Sequence, residues 1–304
     1  MAVKTYDILV PGNYFCDIVF TGFPQFPALG SEVYTEGLTV TIGGVLNTVI
    51  GLHRLGVNVG WLGVIGSDFF SRFAREMLDQ EGIDQSLVKR IDAPFQRVTA
   101  AISYPHERAF ITYVDPAPSS TEMVLEALDS VRFRHLHFTG FQTAPRAVEL
   151  LRAARRRGAV VSMDCQDRPI TLETPGMREV LSLVDIFMPN AIEAQKLTEQ
   201  ESVEAAAERL RALTPLLIIK DGANGAHAWQ GGEHWHAPAI PVTPVDTTGA
   251  GDVFNAGFLT AFREGKAIDE CLRWGNICGG LSTLGRGGVG TAPRRETVES
   301  YLAE

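Results

Sequence analysis

Residues 245–258, VDTTGAGDVFNAGF, place a carboxylate beside a loop that could bind an anion. Gly249 and Gly251 allow close backbone approach, and a run typical of a helix follows Asp252. The unpaired N–H groups of a helix N-terminus attract anions such as phosphate. Asp252 is therefore either a helix N-cap or the base that accepts a proton from a hydroxyl attacking a phosphoryl group. A simple cap needs neither the second glycine nor the long loop containing Pro244, which favours the chemical interpretation.

Two further groups lie at the ends of predicted strands. Asp17 follows the first strand, where an aspartate is most often a turn residue. Gly43, Gly44 and Asn47 lie at a strand-to-helix turn, and a tight turn with a cap would also explain them. The residues alone leave a binding role open in both places.

A third candidate is the pair Asn190 and Glu193, which follows the strand DIFMP. Their spacing is close to that of a capping box, which is the simplest interpretation without further context. The turn KDGANG, residues 220–225, lies at the end of another predicted strand. The chain contains no GxxxxGK[ST] motif, so the sequence excludes a P-loop enzyme.

The elements that position these residues alternate between strand and helix. Short apolar runs predict strands at YDILVPG, NVGWLGVIG, HLHFTG, AVVSMD, DIFMPN and PLLIIKDG. Apolar residues with a period near 3.6 predict helices at 47–55, 69–80, 122–128 and 147–157. This alternation predicts a mostly parallel sheet that is covered by helices on both faces. Ligands of such sheets bind at the carboxyl ends of the strands, where the polar candidates lie.

Two segments break the alternation. Residues 15–41 have no helical period, and RVTAAISY and RAFITYV in 97–114 alternate like a strand pair joined at Pro105, His106 and Glu107. We expect these segments to form a small separate β-sheet.

With these residues in view, the chain resembles the ribokinase-like carbohydrate kinases of the phosphofructokinase-B family. DTTGAGDVFNAGF matches their C-terminal signature, residues 41–73 match their second signature, and the resemblance covers nearly the whole chain. It implies a three-layer α/β/α core and a small β-sheet lid over the substrate. The implied core comprises 1–12, 42–95 and 119–304, and the implied lid comprises 13–41 and 96–118.

The resemblance also implies a role for each candidate. Asp252 would be the catalytic base, and the anion hole would be formed by Gly249, Ala250 and Gly251. The implied substrate-binding residues are Asp17, Gly43, Gly44 and Asn47. ATP and Mg²⁺ would be bound through Asn190, Glu193, Lys220, Gly222, Gly225 and Asn276. In some relatives a monovalent cation such as K⁺ lies around the positions of Asp246 and Thr248.

Composition excludes several other classes. The chain has 304 residues, a net charge of -9 and no run of five like charges, which is unlike a nucleic-acid-binding protein. No apolar segment approaches the length of a membrane span, and four scattered cysteines predict reduced thiols in a cytoplasmic protein.

Gly285-x-Gly287-x-x-Gly290 fits a dinucleotide fingerprint, but no strand–turn–helix pattern surrounds it. His135 with His137, and His234 with His236, form HxH pairs, for which no third zinc ligand has suitable spacing.

The sequence therefore predicts an ATP-dependent kinase that phosphorylates a hydroxymethyl group of a small unphosphorylated sugar. The lid segments are thinly basic, with Arg97 and Arg108 as candidates for binding an anionic group. A nucleoside kinase is the alternative within the class, since an aromatic platform could come from Phe15, Phe23, Phe26, Phe110 and Tyr113. A non-catalytic sugar- or nucleotide-binding regulator is the alternative from another class. The resemblance further implies a homodimer formed through the lid.

Overall fold

The computed structural model of the protein describes residues 4–103, 108–143, 146–166 and 169–303. Its strands are β1 (Lys4–Pro11), β2 (Tyr14–Thr21), β3 (Gly37–Gly44), β4 (Val59–Leu62), β5 (Val64–Ile65), β6 (Lys89–Arg90), β7 (Arg97–Ser103), β8 (Arg108–Val114), β9 (Val131–Phe138), β10 (Val160–Met163), β11 (Ile186–Phe187), β12 (Leu216–Lys220), β13 (Ala226–Gln230) and β14 (Glu233–Ala237). Its helices are α1 (Val45–Arg54), α2 (Phe69–Glu81), α3 (Ser120–Ala127), α4 (Ala147–Arg156), α5 (Met177–Ser182), α6 (Ala191–Thr198), α7 (Val203–Leu210), α8 (Ala250–Arg263), α9 (Ile268–Ser282) and α10 (Arg295–Ala303).

The central sheet has eight strands in the order β14-β13-β12-β11-β10-β9-β1-β4. The six strands from β12 to β4 in that order are parallel, and β13 and β14 form an antiparallel hairpin at one edge. Because parallel strands require crossover connections, the helices cover both faces of the sheet. The predicted mostly parallel α/β core is confirmed.

The buried strand β12 shows how the sheet separates two cores. Leu216 and Ile218 point into one apolar cluster, and Leu217 and Ile219 point into the other. Side chains alternate between the faces of a strand, so a run with no polar interruption is what a doubly covered strand requires. Helices α1, α2, α8, α9 and α10 contribute to the first cluster, α4 to α7 contribute to the second, and α3 contributes to both. These are the three layers that the sequence predicted.

A separate four-stranded sheet has the order β3-β2-β7-β8. Strand β2 pairs antiparallel with β3 and parallel with β7, while β7 and β8 form the expected antiparallel pair. The small second sheet is therefore confirmed. The predicted turn at Pro105, His106 and Glu107 lies outside the described residues.

Local signals account for the helix boundaries closest to the site. Asp68 caps α2 by accepting hydrogen bonds from the N–H groups of Phe70 and Ser71, and Gly82 ends the helix in the left-handed conformation. The four helices predicted from periodicity all occur, with ends within about two residues of those expected. No helix in the described ranges is long and apolar enough to cross a membrane. The four cysteines, all within those ranges, are buried and form no disulfide.

Candidate active site

Helix α8 begins at the loop that the sequence singled out. Gly249 is its N-cap residue, with a φ of 72°, which glycine adopts without strain. The interpretation of Asp252 as the N-cap is therefore wrong, because Asp252 is the third residue of the helix. Among the described residues, the N–H groups of Gly251 and Asp252 donate to no backbone or side-chain acceptor. Free amides at a helix start can bind an anion, and here they belong to Gly251 and Asp252, whereas the Ala250 N–H donates to the Thr247 carbonyl at 3.3 Å.

The Asp252 carboxylate faces α1 rather than its own helix terminus. Its Oδ2 accepts a hydrogen bond from Asn47 Nδ2 at 3.0 Å. Burial raises the pKa of Asp252 to about 7, and the charges of Asp164 and Glu193 add to this effect, while Asn47 and Lys220 oppose it. A carboxylate with a pKa near neutrality is suited to accept a proton at physiological pH.

Asn47 is held tightly between two glycines. A Cβ on Gly249 would lie 2.8 Å from Asn47 Nδ2, and a Cβ on Gly288 would collide with Asn47 Oδ1. The buried Oδ1 atom has no hydrogen-bond partner among the described residues. The structure thus joins Asn47 and Asp252, which are 205 positions apart in the sequence.

Lys220, at the end of β12, forms the buried charged centre of the site. Its Nζ donates to Asp164 Oδ2 at 2.6 Å and to Asn255 Oδ1 at 3.3 Å, and Asn255 Nδ2 also donates to Asp164 Oδ2. Burial alone would lower the pKa of Lys220, but the carboxylates of Asp164 and Glu193 raise it overall, so the ammonium stays charged. A Cβ on Gly251 would lie 3.4 Å from Lys220 Nζ. This cation therefore lies directly beneath the free amides of the loop.

Asn190 and Glu193 form the capping box that their spacing indicated. Asn190 Oδ1 accepts from the Glu193 N–H at 2.9 Å, and Glu193 Oε2 accepts from the Asn190 N–H at 2.8 Å. The Glu193 charge also raises the pKa values of Lys220 and Asp252, so the carboxylate lies near both groups. The capping role is observed, and it leaves Glu193 at the edge of the site.

A cavity of about 490 Å³ opens beside the loop. Its lining includes the predicted residues Lys220, Gly222, Gly225, Ala250 and Gly251 and the apolar side chains of Ala239, Ile240, Pro241, Val242, Pro244 and Phe254. Asn276 also lines it, but its Nδ2 donates to the carbonyls of Ala237 and Pro238, so it fixes the wall after β14. A lining that combines a buried cation and backbone amides with apolar side chains suits a ligand that has a flat ring and an anionic chain.

Asp246 connects two loops of the site. Its Oδ1 accepts from the Thr248 N–H at 2.9 Å, and its Oδ2 accepts from the Gly287 N–H at 3.0 Å. Residues 285–290 follow α9 and pack against Asn47, with no strand before them. The dinucleotide fingerprint therefore lacks the strand–turn–helix context that NAD binding requires.

The residues predicted to bind the substrate lie on the small sheet and at the start of α1. A Cβ on Gly43 would collide with Asp17 Oδ2, so only glycine leaves room for this carboxylate. Gly44 has a φ of 64° and is the N-cap residue of α1. Burial raises the pKa of Asp17 to about 6, with a further contribution from the charge of Asp246. No described residue forms a hydrogen bond or ion pair with the Asp17 carboxylate.

The register shows which residues share the face of Asp17. Asp17 pairs with Thr41 and Thr99, and Gly287 of the core loop lies against Thr41. This face therefore looks toward the core. By strand alternation it also carries Phe15 and Phe110, whereas Tyr113 lies on the opposite face and is removed from the predicted aromatic platform.

Sequence reasoning missed two members of the charged centre. Asp164 follows β10 and was recognised only as a strand end, and Asn255 lies within the C-terminal signature without an assigned role. The position of Asp164 after a buried strand was the available signal. Asn255, on the second turn of α8, had no comparable signal.

The HxH pairs belong to two different environments. His135 and His137 are buried, and a ring nitrogen of each lies 2.7 Å from Ser162 Oγ. Burial lowers the pKa of both to about 3, so they are neutral residues of the core. His234 and His236 lie on the edge hairpin. Within the described ranges, no group of three potential ligands could hold a metal ion.

Comparison with known proteins agrees with this architecture. Residues 18–295 match the model of the pfkB family of carbohydrate kinases. A ribokinase from Haemophilus influenzae is 28% identical, with 98% of each chain covered. A fructokinase from Klebsiella pneumoniae is 29% identical over 86% of this chain and 91% of that protein. The structure of Arabidopsis thaliana ribokinase complexed with ribose and ATP superposes with a TM-score of 0.82 at 22% identity, covering 99% and 100% of the two chains, which shows a shared fold.

The fold and the site together define an ATP-dependent phosphotransferase with an alcohol acceptor. The chain belongs to the pfkB family of carbohydrate kinases, which confirms the resemblance of its two signatures. Its reaction class is that of a sugar or nucleoside kinase.

Proposed function

We propose that the protein transfers the γ-phosphoryl group of ATP to a hydroxymethyl group of a small unphosphorylated sugar. One observation carries this proposal. The free N–H group of Gly251 lies in the lining of the 490 Å³ cavity, the free N–H group of Asp252 follows it, and the Asp252 carboxylate accepts a hydrogen bond from Asn47 of α1. A phosphate donor and an alcohol acceptor would then meet at one helix start from opposite directions.

In the proposed mechanism, Asp252 accepts the proton of the attacking hydroxyl as the new P–O bond forms and the bond from the γ-phosphorus to the leaving oxygen of ADP breaks. The free amides of Gly251 and Asp252 neutralise charge that develops on the transferred group, and the buried Lys220 close to Gly251 adds a fixed positive charge. Asn47 orients the Asp252 carboxylate through its Nδ2, and its Oδ1 would accept a bond from a second substrate hydroxyl. On the lid, Asp17 would accept bonds from two sugar hydroxyls, because its carboxylate has both oxygens available.

The cavity fits the nucleotide that this scheme requires. Gly222 and Gly225 would lie along the phosphates, and the apolar residues near Ile240 and Phe254 would contact the base. Glu193 fits a magnesium site, since oxygen donors suit this ion and most of its ligands are usually water or phosphate. When bound, Mg²⁺ would supply charge neutralisation on the phosphates. Asp246 and Thr248 are the proposed neighbours of a monovalent cation.

The small sheet is proposed as a lid whose closure excludes water from the phosphoryl group. It spans parts of 13–41 and 96–118, and the remaining described chain forms the catalytic core. Its outer face exposes four large side chains, Leu38, Val40, Ile111 and Tyr113. An apolar face of this kind supports the proposal of a homodimer formed through the lid. Sedimentation analysis of Ile111→Glu beside the unchanged protein tests it, and a dimer that persists in the variant would contradict it.

The acceptor class is tested by a panel of pentoses, hexoses, sugar acids, sugar phosphates and nucleosides with ATP. Phosphorus NMR identifies the bond that forms and distinguishes a phosphorylated hydroxymethyl from a phosphorylated ring hydroxyl. The proposal expects a sugar without phosphate to be the best substrate. Preference for a nucleoside would support the alternative, for which Phe15 and Phe110 on the core-facing side of the lid provide aromatic surface.

A further inference from the structure

Arg97 is a half-buried charge on the lid that the proposed mechanism does not use. It begins β7, and Asp17 and Thr99 pair across β2 and β7. Phe15 and Arg97 lie two positions before Asp17 and Thr99, so they are neighbours on the same face, which looks toward the core. The guanidinium carbon lies 4.8 Å from the centre of the Phe15 ring, consistent with this register.

The guanidinium is fixed in one orientation by neutral neighbours. It lies over the rings of Phe15 and Phe95, at 4.8 and 5.6 Å from their centres. Its Nη1 donates to the carbonyl of Asp115 at 3.1 Å. Two aromatic contacts and one backbone bond hold the planar group without neutralising it.

The charge of Arg97 lacks a direct counter-ion. Within the described residues, no carboxylate oxygen lies within 4.0 Å of its guanidinium nitrogens, and its buried Nε has no hydrogen-bond partner. The nearest acidic group, the Asp115 carboxylate, accepts instead from the Gln96 N–H at 2.6 Å and from the Tyr113 hydroxyl at 3.0 Å. A half-buried arginine is costly unless an anion pairs with it during function.

The acceptor side also carries negative charge. The charge of Asp246 acts on Asp17, and the whole chain has a net charge of -9. A neutral sugar needs no cation in such a site. An anionic sugar would be repelled unless a local positive charge received its anionic group.

We propose that Arg97 is a specificity-determining residue that binds an anionic group on the acceptor. This inference rests on the proposed function, in which the acceptor carries no phosphate, so the anionic group is a carboxylate. The substrate is then a sugar acid. Its hydroxyls would bind Asp17 and Asn47, and its carboxylate would lie beyond Phe15 against the guanidinium, which forms two parallel hydrogen bonds with such a group.

The test compares a neutral sugar, the sugar acid of the same carbon skeleton, and the corresponding sugar phosphate. Calorimetry without ATP measures binding alone, and steady-state kinetics with ATP measure KM and kcat. The sugar acid should bind at least about tenfold more tightly than the neutral sugar. Preference for the neutral sugar would overturn the proposal, and preference for the phosphate would overturn the carboxylate assignment.

Arg97→Met keeps an apolar stem between Phe15 and Phe95 and removes the charge. It should weaken binding of the sugar acid roughly 10- to 100-fold and change binding of the neutral sugar less than about threefold. Arg97→Lys should recover part of the loss, since it restores the charge without the planar fork. Arg108→Met is the matched control, because β8 places Arg108 opposite Ser103 at the other end of the hairpin.

A purely structural role for Arg97 makes a different prediction. In that case Arg97→Met would lower the Tm and weaken the neutral and acidic sugars by the same factor, and this outcome would overturn the proposal. The calorimetric comparison needs no turnover. It therefore tests the role of Arg97 in binding independently of the proposed kinase reaction. Failure of phosphoryl transfer to every acceptor would contradict the proposed function while leaving the binding comparison measurable.

Discussion

The two sides of the active site differ in how their buried charges are paired. On the phosphoryl side, Lys220 is bound to Asp164 and Asn255, and Asp246 accepts two backbone N–H groups. On the acceptor side, Asp17 and Arg97 lie on one sheet face, and neither has an oppositely charged group within 4.0 Å among the described residues. The first side is complete before any ligand binds. The second side requires the ligand to supply the missing partners.

We expect the phosphoryl side to determine the rate of the reaction and the acceptor side to determine which substrate binds. A preorganised phosphoryl side reduces reorganisation when charge develops, whatever acceptor is used. Unpaired groups on the acceptor side penalise every molecule that does not satisfy them, and such groups discriminate strongly between substrates. The substitutions below should therefore change turnover on one side of the site and acceptor binding on the other.

Asp252→Asn should have the largest effect, because it removes the proposed base while keeping a similar shape. We expect turnover to fall by roughly 10²–10⁴, with nucleotide affinity retained. Steady-state kinetics and calorimetry with a non-hydrolysable nucleotide measure the two quantities. Turnover close to that of the unchanged protein would remove Asp252 from the role of base.

Lys220→Met tests whether the phosphoryl side depends on its buried pair. The variant leaves Asp164 buried without its cation, which should cost about 3–5 kcal/mol in the free energy of unfolding. Denaturant unfolding measures this loss. The double variant Lys220→Met with Asp164→Leu should recover much of the stability, since both charges are then absent. A double variant as unstable as the sum of the single ones would show that the two residues act independently.

The fold could be predicted further from sequence than the site. Strands such as β12 and helices such as α2 show local patterns of apolar residues, so each element could be predicted from its own segment of sequence. The antiparallel hairpin of β13 and β14 was not predicted, because HAWQ and EHWHA are short and do not show on which side of β12 they pair. Strand order is a tertiary property and is not present in a local pattern.

The site also contains contacts between distant residues that no local sequence pattern predicts. The signature around Asp252 predicted a base beside an anion-binding loop, since the spacing of the residues is itself the signal, and this role stays a prediction. The contacts of Lys220 with Asp164 and Asn255 span 56 and 35 positions, so only the folded chain shows that they form one cluster. Arg97 was recognised as a cation, but its position on the Asp17 face depends on the register of β2 and β7.

The ionisation of Asp252 should make both the catalytic rate and the stability of the fold depend on pH. The base must be ionised, so kcat/KM should fall about tenfold per pH unit below the pKa of Asp252, which is about 7. The effect on stability has the opposite sign. A folded-state pKa raised above the ordinary value of 3.8 stabilises the fold at low pH, and this contribution is lost as the pH rises through about 7.

Asp252→Asn lacks this titration, so its Tm should rise relative to the unchanged protein as the pH increases from 4 to 8. Thermal melts at several pH values measure the difference. A constant difference between the two proteins across this range would show that Asp252 ionises in the fold near its ordinary pKa.

Gly43→Ala should have the smallest effect, and it acts only on the acceptor side. The added Cβ would collide with Asp17 Oδ2, so the carboxylate must move from its position on the lid face. We expect KM for the sugar to rise by up to about tenfold, with KM for ATP unchanged. Val40→Ala, on the opposite face of the same strand, is the control.

In the background of Asp17→Ala, the Gly43→Ala substitution should add little to the rise in KM, because the carboxylate that it displaces is already absent. Full additivity of the two changes would show that Gly43 serves the turn before α1 rather than the Asp17 carboxylate.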